Sequence, residues 1–167
     1  EGRYFIRDLE STNRVFVRLR TPAQLRSGDL VLIGLEVLRF DLVNAADKGL
    51  GPAMDGETQV FGSPMLPRYA RLCQRTVEGV TRDIYHVSKD EVVLGREAGD
   101  IVFTTDPFMS RRHASLTRGR DGAFALADLG SSNGTYLATR DEIALSNGDH
   151  VRVGQQLFRL EQSGGQS

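Results

Sequence analysis

The sequence predicts an all-β protein of the β-sandwich class. Three observations carry that expectation. Short apolar runs recur through the chain, Asn-Gly and Asp-Gly turn signals separate them, and no segment keeps a helical period over a dozen residues. With 167 residues, 40% of them hydrophobic and 26% charged, the chain has the composition of an ordinary globular domain plus part of another.

Sliding the sequence by 120 residues places Asp8–Phe40 on Asp128–Leu160 without a gap. Eleven of the 33 positions are identical, among them Asp8/Asp128, Ser11/Ser131, Asn13/Asn133, Arg20/Arg140, Gly28/Gly148, Asp29/Asp149 and Gly34/Gly154. Turn residues are prominent in the set, so the same local geometry is specified twice. About 60 residues of strand-like sequence precede the second copy and only seven precede the first. Residues 1–44 therefore read as the back half of a sandwich repeat. Residues 45–68 read as a Gly/Pro-rich linker, 69–162 as a complete domain and 163–167 as a flexible tail. An isolated back half exposes apolar residues such as Val15, Val17, Leu30, Leu32 and Leu38. It must be covered by an upstream fragment, by the complete domain or by another copy of the chain.

Within 69–162 the elements follow in order. Strands are expected at 68–77 and 82–87 about a turn at Gly79, then at 92–94 and 101–103. Further strands are expected at 113–117 and 123–126 about Asp121-Gly122, and finally at Val151, Val153 and 157–160. Cys73 fits a buried strand position, and as the single cysteine it permits no internal disulfide, which favours a reducing, cytoplasmic compartment. No run approaches 18 apolar residues, so no membrane-spanning segment or membrane partner is expected. Residues 68–167 carry 13 basic and 13 acidic side chains, which disfavours a nucleic-acid partner. Among the 21 basic residues only Lys48 and Lys89 are lysines, and arginine is the residue suited to bidentate phosphate recognition.

Four stretches at strand ends carry chemistry: Gly95-Arg96, Ser110-Arg111-Arg112-His113, Gly130-Ser131-Ser132-Asn133-Gly134-Thr135 and Asn147-Gly148-Asp149. A sandwich gathers loops of one end, so these segments can converge. They supply arginines, hydroxyls and a side-chain amide without an adjacent nucleophile and base. That inventory grips a phosphate rather than cutting a bond, so no enzyme activity is expected. The three histidines and one cysteine lack metal-ligand spacing, and no metal or cofactor is expected.

Taken together, GR, SRRH, DLGSSNGT, NGD and VG resemble the forkhead-associated domain, a family that binds phosphothreonine peptides. The resemblance covers about residues 69–162, and residues 1–44 resemble the back half of a second, degenerate copy. It implies a sandwich of about 11 strands with a binding site on apical loops. It implies that Arg96, Ser110 and Arg111 serve the phosphate, that Ser132 helps hold the phosphothreonine, and that Asn133 bonds the peptide backbone. Gly95, His113, Ser131, Gly134 and Thr135 are implied as loop-structural. The expected function is phosphothreonine-dependent peptide binding downstream of a Ser/Thr kinase, the partner being the kinase or one of its substrates. The alternative is a phospho-independent scaffold that forms homo-oligomers through residues 1–44. In that first copy Arg14 and Val15 replace Gly134 and Thr135, so an altered loop is expected there.

Overall fold

In the computed structural model the described residues are 3–11, 14–43, 68–76 and 80–162, and all regular structure among them is strand. The strands are β1 (Tyr4–Ile6), β2 (Val15–Arg18), β3 (Ala23–Gln24), β4 (Leu30–Ile33), β5 (Glu36–Leu42), β6 (Ala70–Arg75), β7 (Thr81–Val87), β8 (Glu91–Gly95), β9 (Ile101–Val102), β10 (Ala114–Arg118), β11 (Phe124–Asp128), β12 (Thr135–Ala138), β13 (Ile143–Leu145), β14 (His150–Val153) and β15 (Gln156–Arg159). The sandwich class is as the sequence predicts. Of the expected linker, 45–68, all but residue 68 lies outside the described residues, as do Gly79 and the 163–167 tail.

The two repeats do not fold side by side. One eight-stranded sheet runs β15-β14-β2-β12-β4-β5-β6-β7, and a five-stranded sheet runs β3-β11-β10-β8-β9. The back strands β3, β4 and β5 of the first repeat close the sandwich begun by β6 to β12. Of the strands expected to close it, β13 pairs instead with β1 and β14 with β2, and β15 follows on β14. Residues 69–162 thus do not close on themselves.

The exchange has an internal two-fold. Its centre is the antiparallel pairing of β2 with β12, where Val17 faces Leu137 and Phe16 faces Ala138. Shifting β12 back and β4 forward by 120 turns their register (Leu137 on Val31) into that of β2 on β14 (Val17 on Val151). The pairing of β11 with β3 has its image in β1 with β13. Crossed ion pairs repeat the pattern: Arg140 grips Asp29, and Arg20 Nε lies 2.8 Å from Asp149. Each Asp also accepts a backbone N–H at 2.8 Å from its own turn, Arg26 in one copy and Ser146 in the other. Swapping equivalent strands between equivalent seats costs little, because the same contacts form either way.

Composition decides which copy takes the enclosed seat. β4 reads LVLI and is buried along its whole length, whereas β14 reads HVRV. A strand inside a covered sheet needs apolar residues on both faces. Val31, Ile33, Leu38 and Phe40 face the main core with Leu72, Leu94, Leu116 and Phe124. Leu30 and Leu32 face the other way, into a smaller cluster with Phe16 and Tyr136. Cys73 is buried on β6, as expected.

Candidate functional site

Three loops of the closed sandwich meet at one end. The β8–β9 loop carries Arg96, the β9–β10 loop carries Ser110 and Arg111, and the β11–β12 loop carries Ser131 to Gly134. Backbone bonds stitch the first two, with Arg96 N donating to Ser110 O (2.9 Å) and Ala98 N to Arg111 O (3.1 Å). Gly95 makes this approach possible, since a Cβ there would lie 2.0 Å from Arg111 O. The third loop joins through Ser132 N, which donates to Ser110 Oγ at 3.1 Å. Asn133 Nδ2 donates to Phe108 O at 2.9 Å.

His113 is fully buried beneath the loops. Its Nδ1 accepts from Ser110 N at 3.1 Å, and its Nε2–H faces the Gly134 carbonyl at 2.8 Å. A carbonyl only accepts, so the proton sits on Nε2. His113 therefore braces the Ser110 and Gly134 loops against each other. Ser131 Oγ accepts from Gly134 N at 2.9 Å and donates to Asp128. Thr135 Oγ1 donates to the same carboxylate at 2.7 Å. Burial works against ionisation of Asp128, yet the bonds from Ser131 and Thr135 hold its carboxyl below the usual range. Asp128 is thus the anchor of the third loop.

The residues expected to bind lie together at this end of the sandwich. Arg96 Nε is buried without a hydrogen-bond partner. Its guanidinium lies 3.7 Å from Glu97, which also pairs with Arg111 Nε at 3.0 Å. Ser132 and Asn133 are exposed beside Ser110. The set is cationic, hydroxyl-rich and open to solvent on one side. It has donors for an anion and no buried nucleophile aligned with a base. Next to it a cavity of about 220 Å³ is lined by Leu32 and Leu35 of the first repeat and by Phe108, Asn133, Tyr136 and Leu157 of the second.

The FHA domain family model matches residues 1–34 and 92–154, more than half of the chain and parts of both repeats. The chain belongs to the forkhead-associated (FHA) domain family. An oxoglutarate dehydrogenase inhibitor of Corynebacterium diphtheriae is 33% identical over 74% of this chain and 83% of its own length. The glycogen accumulation regulator GarA of Mycolicibacterium smegmatis is 34% identical over 81% of this chain and 84% of its own. Among solved structures, the FHA domain of the CT664 protein of Chlamydia trachomatis is 29% identical over 47% of this chain and 84% of that one, with a TM-score of 0.29.

Two features of this loop cluster were not singled out from the sequence. Glu97 places a carboxylate on both arginines, and its position directly after Arg96 was the available signal. Asp106 is nearly fully buried and accepts the backbone N–H groups of Phe108 (2.9 Å) and, across the exchange, of Leu35 (2.7 Å). It fixes the β9–β10 loop to a turn contributed by the other repeat, which no local pattern reveals. The first repeat's loop is less altered than expected. Asp8 accepts from Ser11 N and Oγ at 3.0 and 2.6 Å, as Asp128 does from Ser131. Glu10 and Arg14 keep the left-handed backbone (φ 60° and 67°) of their counterparts Gly130 and Gly134. Asn13 lies outside the described residues. Among the described residues no group of three His, Cys, Asp or Glu could hold a metal, and no helix is long and apolar enough to cross a membrane.

Proposed function

We propose that the chain is a non-catalytic phosphothreonine-peptide-binding module that reads marks placed by a Ser/Thr kinase. The observation that carries this reading is the convergence of Arg96, Ser110, Arg111, Ser132 and Asn133 at one end of the sandwich. Arg96 brings there a partly exposed guanidinium, 35% of its side chain open to solvent. A phosphate brings about −1.5 to −2 charges and three acceptor oxygens. Arg96 and Arg111 answer the charge, Ser110 and Ser132 add hydroxyl donors, and His113 and Asp128 hold the loops in position before the ligand arrives. Asn133, at the rim of the cavity beside the site, aligns the peptide past the phosphothreonine. Glu97 lies against both arginines and competes with the phosphate for them, which keeps affinity moderate. The alternative, oligomerisation through residues 1–44, has less support, because β3 to β5 are taken up within the chain itself.

Titration with phosphothreonine peptides and their unphosphorylated forms tests this. Each charged hydrogen bond contributes roughly 1.5–3 kcal/mol, so Arg96→Ala is expected to weaken phosphopeptide binding by about 10- to 150-fold. Glu97→Gln is expected to tighten it a few-fold, and added salt to weaken it. Equal affinity for phosphorylated and unphosphorylated peptides would sink the reading.

A further inference from the structure

Among the described residues the internal two-fold leaves five seats without an occupant on one side. On the closed side, β5 pairs with β6 and β11 with β10, and β7, β8 and β9 complete the two sheets. On the other side the images of β5 and β11 are β15 and β1. Among the described residues β15 pairs only with β14, and β1 only with β13.

The consequence is visible residue by residue. Leu38 is 0% exposed and its image Phe158 is 56% exposed. Phe124 is 1% exposed and its image Tyr4 is 54% exposed. Ile33 is buried where Val153 is not. The backbone of β15 is poised in the same way as that of β5. Phe40 and Leu160 both bond back to the preceding strand, through the Asp29 and Asp149 carbonyls at 2.8 Å. By antiparallel alternation the N–H and C=O groups of Leu157 and Arg159 then point away from β14. On β5 the corresponding residues, Val37 and Arg39, face Arg75 and Cys73 of β6.

We propose that the β15 edge is a docking site for the front half of an FHA repeat, whose first strand adds antiparallel to β15 in the register that β6 uses on β5. The residue opposite Arg159 takes the place of Cys73 and the one opposite Leu160 takes that of Leu72. Apolar residues alternate along the incoming strand to cover Phe158 and Leu160. The occupant is set by the molecule's own closed half, which shows what an identical edge accepts. Among the described residues there are two back halves and one front half, and that front half is already seated on β5. The occupant therefore comes from outside the described residues. Strand addition of this kind draws affinity from main-chain bonds and selectivity from alternate side chains.

The probe is a synthetic peptide of residues 68–88 with Cys73→Ser, added to the full chain and followed by amide hydrogen exchange. Protection of Leu157 and Arg159 by about tenfold or more is the expected result, with residues 36–42 unchanged. In the chain carrying Phe158→Asp this protection is lost, while melting and phosphopeptide binding stay as they were. Phe158 is largely solvent-exposed, so this variant folds. Three results would overturn the proposal: no protection at β15 at millimolar peptide, equal protection in the Phe158→Asp chain, or protection that depends on chain concentration without peptide. The last would assign the edge to a second copy.

Discussion

Leu38 and Phe158 stand at one position of one repeat, yet the first lies in the centre of the core and the second faces solvent. The difference is not in their own sequence, since both belong to the hairpin that follows a Gly-Asp turn. It is in what lies across the sheet. Leu38 has β6 beside it and the β3-β11-β10-β8-β9 sheet beneath. Phe158 has neither among the described residues. An apolar residue in a strand pattern thus states a capacity for burial, and the partner decides whether it is used.

The largest expected effect breaks this comparison directly. Leu38→Ala empties a filled core position and is expected to cost about 2–5 kcal/mol. Phe158→Ala removes a larger side chain from the equivalent position and is expected to change stability by less than about 0.5 kcal/mol. Urea denaturation of both variants measures the gap. A cost above about 1.5 kcal/mol for Phe158→Ala would show that β15 is buried in solution.

The crossed ion pairs give the next effect. Arg140 holds Asp29 through two nitrogens and also bonds Gln24 O at 3.1 Å, whereas Arg20 reaches Asp149 through Nε alone and is mostly exposed. Asp29 and Asp149 are both buried. Arg140→Ala leaves Asp29 without its fork and is expected to destabilise by about 1–3 kcal/mol. Arg20→Ala is expected to cost about 0–1 kcal/mol. Thermal melts rank the two. Equal losses would mean that both sides of the two-fold are equally closed.

Much of this was legible in the residues. DLGSSNGT located the third loop because Asp, Ser and Gly each have a turn role there, and Asp128, Ser131 and Gly134 make the bonds those roles require. The strand pattern and the Gly28/Gly148 turns, both at positive φ, came through because they are local. The exchange did not. Both repeats carry the same signals, so either back half satisfies the front half by pattern alone. The one trace was LVLI against HVRV, a strand written for burial on both faces beside one written for a single covered face. Asp106 was missed for the same reason, since its partner Leu35 lies 71 positions away in the other repeat.

The smallest expected effect sharpens the comparison at a single carboxyl. Glu36 begins β5, and its image at the start of β15 is Gln156. Burial raises the Glu36 pKa, and a hydrogen bond and charge from Asp106 raise it further. A carboxyl raised in the folded state favours folding while protonated, and that contribution is lost as pH climbs through the folded value. Once ionised, Glu36 is a partly desolvated charge facing Asp106, with Gln74 Nε2 donating to it. Glu36→Gln installs the residue of the open half, keeps an acceptor for Gln74 and removes the repulsion. It is expected to raise stability by on the order of 1 kcal/mol at pH 7.5, roughly 3 °C for a chain of this size. The gain shrinks as pH falls through the carboxylate range, because the wild-type group then takes up its proton. The reciprocal Gln156→Glu is expected to be neutral at every pH, since its site faces solvent. Melting curves of both variants from pH 4 to 8 decide the matter. A pH-independent gain for Glu36→Gln would place the effect in packing rather than in the Glu36–Asp106 pair.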